Sequence, residues 1–318
     1  MEKKKVMMLG SFVVDLTTRQ KGLPVPGETI VGDSFKMGPG GKGSNQAVVA
    51  HRAGADVTLV TKLGRDLFGN VATDFYKAEG MDISHVLFDD ERTTGIALIE
   101  VDTVSAQNSI VVVPAACANF TEAEIEGLRP LIRESDYLLM QLEINMDATF
   151  RAMQIAKEYG VPVILNPAPV PKEPVPDELL CLADVITPNE FEAQALTGVR
   201  IENENDARTA AKIFHEKGVK NVVITLGALG VFASNGKKDV MEPRLNVNAI
   251  DTTGAGDAFS GGFTMALSEG KDLFTAVRCG NVTGALAVTR LGTAPAMPRR
   301  EEILAFYKES YGVDFENA

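Results

Sequence analysis

LLMQLEINMDATFRAMQIAKEYGVPVIL, residues 138–165, reads as two short apolar runs, Leu138–Leu142 and Val161–Leu165, separated by a stretch with helical spacing near 147–159. The same alternation continues outward from it. Val57–Leu63 and a helix near 69–79 precede it, and Val185–Ile186, a helix near 205–217 and Val222–Leu226 follow. This order predicts an α/β fold with a mainly parallel central sheet and helices on both faces. At 318 residues the chain can bury a large core, and one domain over 1–318 accommodates every element. One interruption breaks the alternation. Thr94–Val101 and Ser109–Val113 form a hairpin pattern with no crossover helix, similar to the short strands and turns of residues 22–37. The two are expected to form a small separate sheet, a lid made from about 12–37 and 93–115. Val6–Gly10 reads as a first buried strand continued by Phe12-Val13-Val14-Asp15, and period-two alternation puts Val13 and Asp15 on one face.

Composition excludes several classes. A hydrophobic fraction of 45% with 23% charged residues is that of a soluble globular enzyme. A net charge of −12, with Lys3-Lys4-Lys5 as the one basic run, argues against a nucleic-acid or membrane-surface binder. The apolar run Val6–Leu9 is too short for a signal peptide or a membrane span, so a cytoplasmic location is expected. Cys117, Cys181 and Cys279 fit neither a metal-ligand spacing nor a disulfide framework and read as buried thiols. His51, His85 and His215 are equally scattered.

The chemistry concentrates at Asp251-Thr252-Thr253-Gly254-Ala255-Gly256-Asp257-Ala258-Phe259. A strand-like run with beats at Leu245, Val247 and Ile250 feeds a turn of small residues, which opens an apolar helix. Gly254 and Gly256 allow successive N–H groups to converge, and the helix dipole adds positive potential, which together make an anion site. Asp257 would repel an anion there unless it takes a proton from a hydroxyl while the nest holds the phosphoryl group under attack. A plain helix start with an acid in its first turn explains these residues equally well. Upstream, Gly38-Pro39-Gly40-Gly41-Lys42-Gly43-Ser44-Asn45-Gln46 satisfies the spacing of a dinucleotide fingerprint. The following strand ends at Thr61-Lys62 without the acid that would grip a ribose, and Gly43 after Lys42 breaks the phosphate-loop pattern. What remains is a glycine-rich bend that lets backbone and Asn45 approach a small ligand. Met140-Gln141-Leu142-Glu143, Asn166-Pro167-Ala168-Pro169 and Thr187-Pro188-Asn189-Glu190 each follow a strand, where open α/β sheets place ligands. Asn189 and Glu192 read as a capping box or as a metal-facing pair, and Thr225-Leu226-Gly227-Ala228-Leu229-Gly230 as a nucleotide turn or a hairpin bend.

Taken together and in this order, Gly40 to Gln46, Met140 to Glu143, Asn166 to Pro169, Thr187 to Glu190, Thr225 to Gly227 and Asp251 to Asp257 resemble the ribokinase (PfkB-like) family of carbohydrate kinases over essentially the whole chain. The resemblance implies that Asp257 is the catalytic base and that Gly254-Ala255-Gly256 form the anion hole. It implies that Val13, Asp15, Gly41, Lys42, Gly43, Asn45 and Glu143 surround the sugar. Asn189, Thr225, Gly227, Gly230 and Asn281 would line the ATP site, with Glu192 organising Mg²⁺ through water. Asp251, Thr253, Ala287, Arg290, Gly292 and Ala296 would bind an activating K⁺, mostly through backbone oxygens. The lid would also pair two subunits into a homodimer. Two positions depart from the family pattern: Val13 stands where Asn is usual beside the sugar, and Ala296 where a hydroxyl is usual in the cation loop.

The resulting expectation is ATP-dependent phosphorylation of a primary hydroxyl, D-ribose to ribose 5-phosphate. The alternatives are a 2-deoxyribose, nucleoside or other sugar kinase, and a catalytically silent sugar or nucleotide sensor.

Overall fold

The computed structural model describes residues 4–105 and 107–318; Lys3 of the basic run lies outside them. The chain opens with β1 (Lys5–Leu9), β2 (Val13–Gln20) and β3 (Ser34–Gly40), then α1 (Lys42–Arg52), β4 (Asp56–Val60), β5 (Lys62–Gly64), α2 (Leu67–Ala78) and β6 (Leu87–Asp89). The hairpin β7 (Gly95–Asp102) and β8 (Asn108–Val113) follows, with α3 (Glu122–Gly127) and α4 (Arg129–Arg133) after it. Next come β9 (Tyr137–Gln141), α5 (Met146–Tyr159), β10 (Val163–Asn166), α6 (Asp177–Leu180), β11 (Val185–Ile186), α7 (Glu190–Thr197) and α8 (Glu204–Glu216). The last elements are β12 (Asn221–Thr225), β13 (Val231–Ser234), β14 (Asp239–Glu242), α9 (Ala255–Ser268), α10 (Leu273–Ala287) and α11 (Arg300–Tyr311).

Eight strands form the central sheet in the order β14-β13-β12-β11-β10-β9-β1-β4, all parallel except the antiparallel β13 and β14. Each inner strand is apolar on both faces because each face is covered. Met7, Leu9, Leu138, Met140, Val163 and Leu165 enter one core with α5 and α8. Val6, Met8, Leu139 and Ile164 enter the other, against α1, α9 and α10. That two-sided burial is why these strands read as continuous apolar runs rather than as alternations.

The second sheet has four strands in the order β3-β2-β7-β8. Residues 13–20 therefore do not continue β1: the chain breaks at 10–12 and changes sheets. Val57–Leu63 likewise divides, β4 joining the large sheet and β5 pairing β6 in a separate two-stranded sheet. The strand expected over 245–250 is absent. β14 stops at Glu242, Pro243 has no N–H for a ladder, and the Ile250 N–H goes to the Val288 carbonyl at 2.7 Å. Thr29–Val31 is irregular as well, whereas the stretch from Ser34 to Gly40 is a strand. Cys117 and Cys279 are buried as expected, but Cys181 is exposed at the end of the four-residue α6, where little packs over it. Among the described residues no helix is long and apolar enough to cross a membrane.

Candidate active site

The parallel strands end at one edge of the sheet, and the polar residues that follow them are gathered there. Ser11 and Glu143 follow β1 and β9, Asn166 ends β10, Thr187 and Asn189 follow β11, and Thr225 ends β12. Facing them is the start of α9. Gly254 caps that helix with φ 78°, a left-handed conformation that glycine adopts without strain. Gly256 differs from the sequence reading. It lies within the helix with no unusual φ, and a Cβ built on it meets nothing within 4 Å, so what it preserves is open space. Lys42, Asn166, Thr187, Asn189, Glu192, Thr225, Gly254, Ala255, Gly256 and Asp257 line a cavity of about 140 Å³.

Asp257 is buried, and both carboxylate oxygens accept from side-chain amides: Asn45 Nδ2 donates to Oδ2 at 2.9 Å and Gln46 Nε2 to Oδ1 at 3.0 Å. Gln46 is itself held from behind. Its Nε2 also reaches Asn166 Oδ1 at 2.9 Å, and its Oε1 accepts from Gln141 Nε2 at 2.7 Å. Asn166 Nδ2 completes the chain by donating to the Thr187 carbonyl at 2.8 Å. A row of buried amides thus fixes the carboxylate plane, and a carboxylate with further lone pairs still accepts a proton.

Around the N-terminus of α1, the Lys42 N–H donates to Glu143 Oε2 at 2.8 Å, and the Ser11 hydroxyl donates to the same oxygen. Gly41 takes φ 89° with Phe12 Cα behind it, and Gly43 is packed on the Gly10–Ser11 backbone, where a methyl would stand 2.6 Å from the Ser11 nitrogen. Asp15, on β2, accepts from the Thr293 hydroxyl at 3.0 Å. Burial pushes its pKa up to about 6 against that hydrogen bond, helped by the negative Glu143 and Asp257. Lys42 lines the cavity. Burial disfavours its charge, but Asp257, Glu143 and Glu192 outweigh burial and raise its pKa.

Asn189 and Glu192 form the capping box at the start of α7: Glu192 N donates to Asn189 Oδ1 at 2.8 Å, and Asn189 N to Glu192 Oε2 at 2.9 Å. Both also line the cavity, so the box holds them there rather than replacing a role in it. Burial raises the Glu192 pKa. Gly227 and Gly230 lie in the bend between β12 and β13. Gly230, φ 109°, is pressed on β14, where a methyl would stand 2.1 Å from the Glu242 carbonyl oxygen. Asn281 donates to the Pro243 carbonyl at 2.8 Å. These three lie outside the cavity lining.

The loops named for a cation do meet. Asp251 Oδ1 accepts from Thr253 N and Oδ2 from Gly292 N, each at 3.0 Å, and the Ile250 and Asp251 N–H groups donate to the Val288 carbonyl. Burial works against the Asp251 charge, yet the two N–H donors hold its pKa below the usual range. An ionised carboxylate oxygen is a donor type suited to a hard cation. Ala287 and Ala296 are buried, and Arg290 pairs with Glu302. For a divalent ion the chemistry differs. No cluster of three or more His, Cys, Asp or Glu able to hold a metal occurs among the described residues.

Residues 3–300 match the model of the pfkB family carbohydrate kinases. The chain belongs to that family. It is 42% identical over 308 residues to a ribokinase of Haemophilus influenzae, covering 97% of this chain and 100% of that one. A deoxyribokinase of Salmonella typhi is 32% identical over 297 residues, covering 93% and 96%. The structure of Arabidopsis thaliana ribokinase complexed with ribose and ATP superposes with a TM-score of 0.88 at 30% identity, over 97% of this chain and 99% of that one. This kinase therefore shares the family fold over 97% of its length.

Ser11, Gln46, Gln141 and Thr293 were not assigned site roles from the sequence. Gln46 carried a signal, because it directly follows Asn45 in the glycine-rich segment. For Ser11 and Thr293 nothing local marks the contact.

Proposed function

We propose that the protein transfers the γ-phosphoryl group of ATP to the primary hydroxyl of D-ribose, forming ribose 5-phosphate. The observation that carries this reading is the Asp257 carboxylate, clamped by Asn45 and Gln46, at the mouth of the Gly254-Ala255-Gly256 helix start. Asp257 accepts the proton of the attacking hydroxyl, and the N–H groups at the start of α9 stabilise charge on the phosphoryl oxygens. Asp15, Gly41, Asn45 and Glu143 hold the sugar, and Val13 is its apolar wall. Gly43 packs on the Gly10–Ser11 backbone beside them, and Lys42, which lines the cavity, joins them around the sugar. Asn189, Thr225, Gly227, Gly230 and Asn281 form or support the nucleotide side. When bound near Glu192, Mg²⁺ neutralises phosphate charge. A K⁺ held by Asp251, Thr253, Ala287, Arg290, Gly292 and Ala296 would order the nest without touching the phosphate.

The domain reading is a single kinase domain in which segments 12–37 and 93–115 close over the sugar. Val111 and Val112 on β8 are 56% and 44% exposed on an edge strand, which favours pairing with a second copy. Light scattering at micromolar concentration should give a dimer, and a monomer would remove the pairing. The activity itself is tested by ADP release with ribose, 2-deoxyribose, hexoses and nucleosides, alongside thermal shift with each. Phosphorylation of none of them would overturn the reading. A second substrate, 2-deoxyribose, is favoured by Val13, which is 3% exposed and offers no hydrogen bond to a 2-hydroxyl.

A further inference from the structure

Thr293 lies in the loop between α10 and α11, next to Gly292, and its side chain touches both halves of the site. Its hydroxyl is 3.0 Å from Asp15 Oδ2 and 3.1 Å from the Pro39 carbonyl oxygen. Its methyl faces the start of α9: a Cβ built on Gly254 would stand 3.7 Å from Thr293 Cγ2. Asp15 has little freedom on its other side. Its carboxylate lies against Gly40, where a methyl would stand 2.3 Å from Oδ1.

We propose that Thr293 is a positioning residue for the acceptor sugar, its hydroxyl fixing the Asp15 carboxylate and its methyl seating the loop against the anion nest. The inference rests on the reading above that Asp15 holds the sugar. A hydroxyl has one proton for two acceptors, and an ionised carboxylate is the stronger acceptor. The proton therefore goes to Asp15 Oδ2, which leaves the other lone pairs of the carboxylate for sugar hydroxyls. Pro39 is on β3 and Asp15 on β2, so the hydroxyl lies against both strands of the small sheet while bonding β2 through its one proton. The Gly292 N–H, one residue earlier, grips Asp251. A two-residue segment thus links the small sheet, the nest and the loop of Asp251.

The two functions of the side chain are separable. Thr293→Val keeps the methyl and deletes the hydroxyl, whereas Thr293→Ser does the reverse. Loss of a hydrogen bond to a charged group predicts a rise of about tenfold in KM for ribose in Thr293→Val, with kcat and KM for ATP changed far less. Thr293→Ser should restore the ribose KM. In an Asp15→Asn background the valine substitution should add less than about twofold. An unchanged ribose KM in Thr293→Val, beside a raised one in Asp15→Asn, would overturn the role of Thr293 alone. An unchanged ribose KM in Asp15→Asn would overturn the sugar assignment and this inference with it. A parallel rise in both substrates' KM in the Val and Ser variants, with lowered thermal midpoints, would show a structural loop and also overturn the inference.

Discussion

In the central sheet every residue of β10 and all of β1 after Lys5 are buried, whereas in the small sheet every residue of β8 is exposed. The large sheet is covered by helices on both faces, so its strands supply stability and present their C-terminal ends as a fixed edge. The small sheet is covered less fully: Val14, Leu16 and Ile96 pack with residues of α2 while β8 stays exposed, and β2 and β3 place Asp15 and Gly40 beside α1 and the Thr293 loop. On the proposed reading, the nucleotide residue Asn189 follows one strand of the covered sheet and Thr225 ends another, and of the sugar residues Val13 and Asp15 come from the exposed one. The contrast predicts that substitutions on the two sides differ in kind as well as in size.

The largest effect belongs to the rigid side. Asp257→Asn keeps the shape of the carboxylate but cannot take the hydroxyl proton, so kcat should fall roughly 10²–10⁴-fold with ATP affinity kept. A near-normal kcat would break the assignment. Stability sharpens the contrast next. Leu139→Ala, in the two-sided core, should lose about 2–5 kcal/mol in denaturant unfolding, whereas Val112→Ala on β8 should change it by less than about 0.5 kcal/mol. Equal losses would mean that the small sheet is as much a part of the core as the large one.

On the sugar side the effects are smaller and concern choice of substrate. Val13→Asn should shift the ratio of kcat/KM for ribose over 2-deoxyribose upward by about tenfold, the value of one satisfied polar contact. An unchanged ratio would show that Val13 does not read the sugar. The smallest effect is that of pH. Asp15 has its pKa raised to about 6, and the carboxylate is the form that accepts hydroxyl protons, so KM for ribose should fall as pH rises through 6. Between pH 5.5 and 7.5 the ionised fraction grows about fourfold, and Asp15→Asn should flatten the profile. A flat wild-type profile would place the charge change of Asp15 outside sugar binding.

Much of this arrangement was legible along the chain. The βαβ alternation, the helix start at Gly254, the capping box at Asn189 and Glu192, and the acids and amides at strand ends are local patterns, and hydrophobic period or neighbouring residues determine each of them. Local pattern failed where a neighbour far away decided the outcome. The beats at Leu245, Val247 and Ile250 looked like a strand, but Pro243 ends the ladder and the Val288 carbonyl takes the Ile250 N–H. Val13 to Asp15 looked like a continuation of β1, but the break at 10–12 carries it into another sheet.

The sequence by itself determined the class of fold, the order of its elements and the residue types at each strand end, because those depend on periodicity within a few residues. Only the tertiary structure decided which of them touch. Gln46 meets Asp257 across 211 positions, Ser11 meets Glu143 across 132 and Thr293 meets Asp15 across 278. Each pairing requires two segments whose own patterns carry no mark of the other, brought together by the burial of the two cores beneath them.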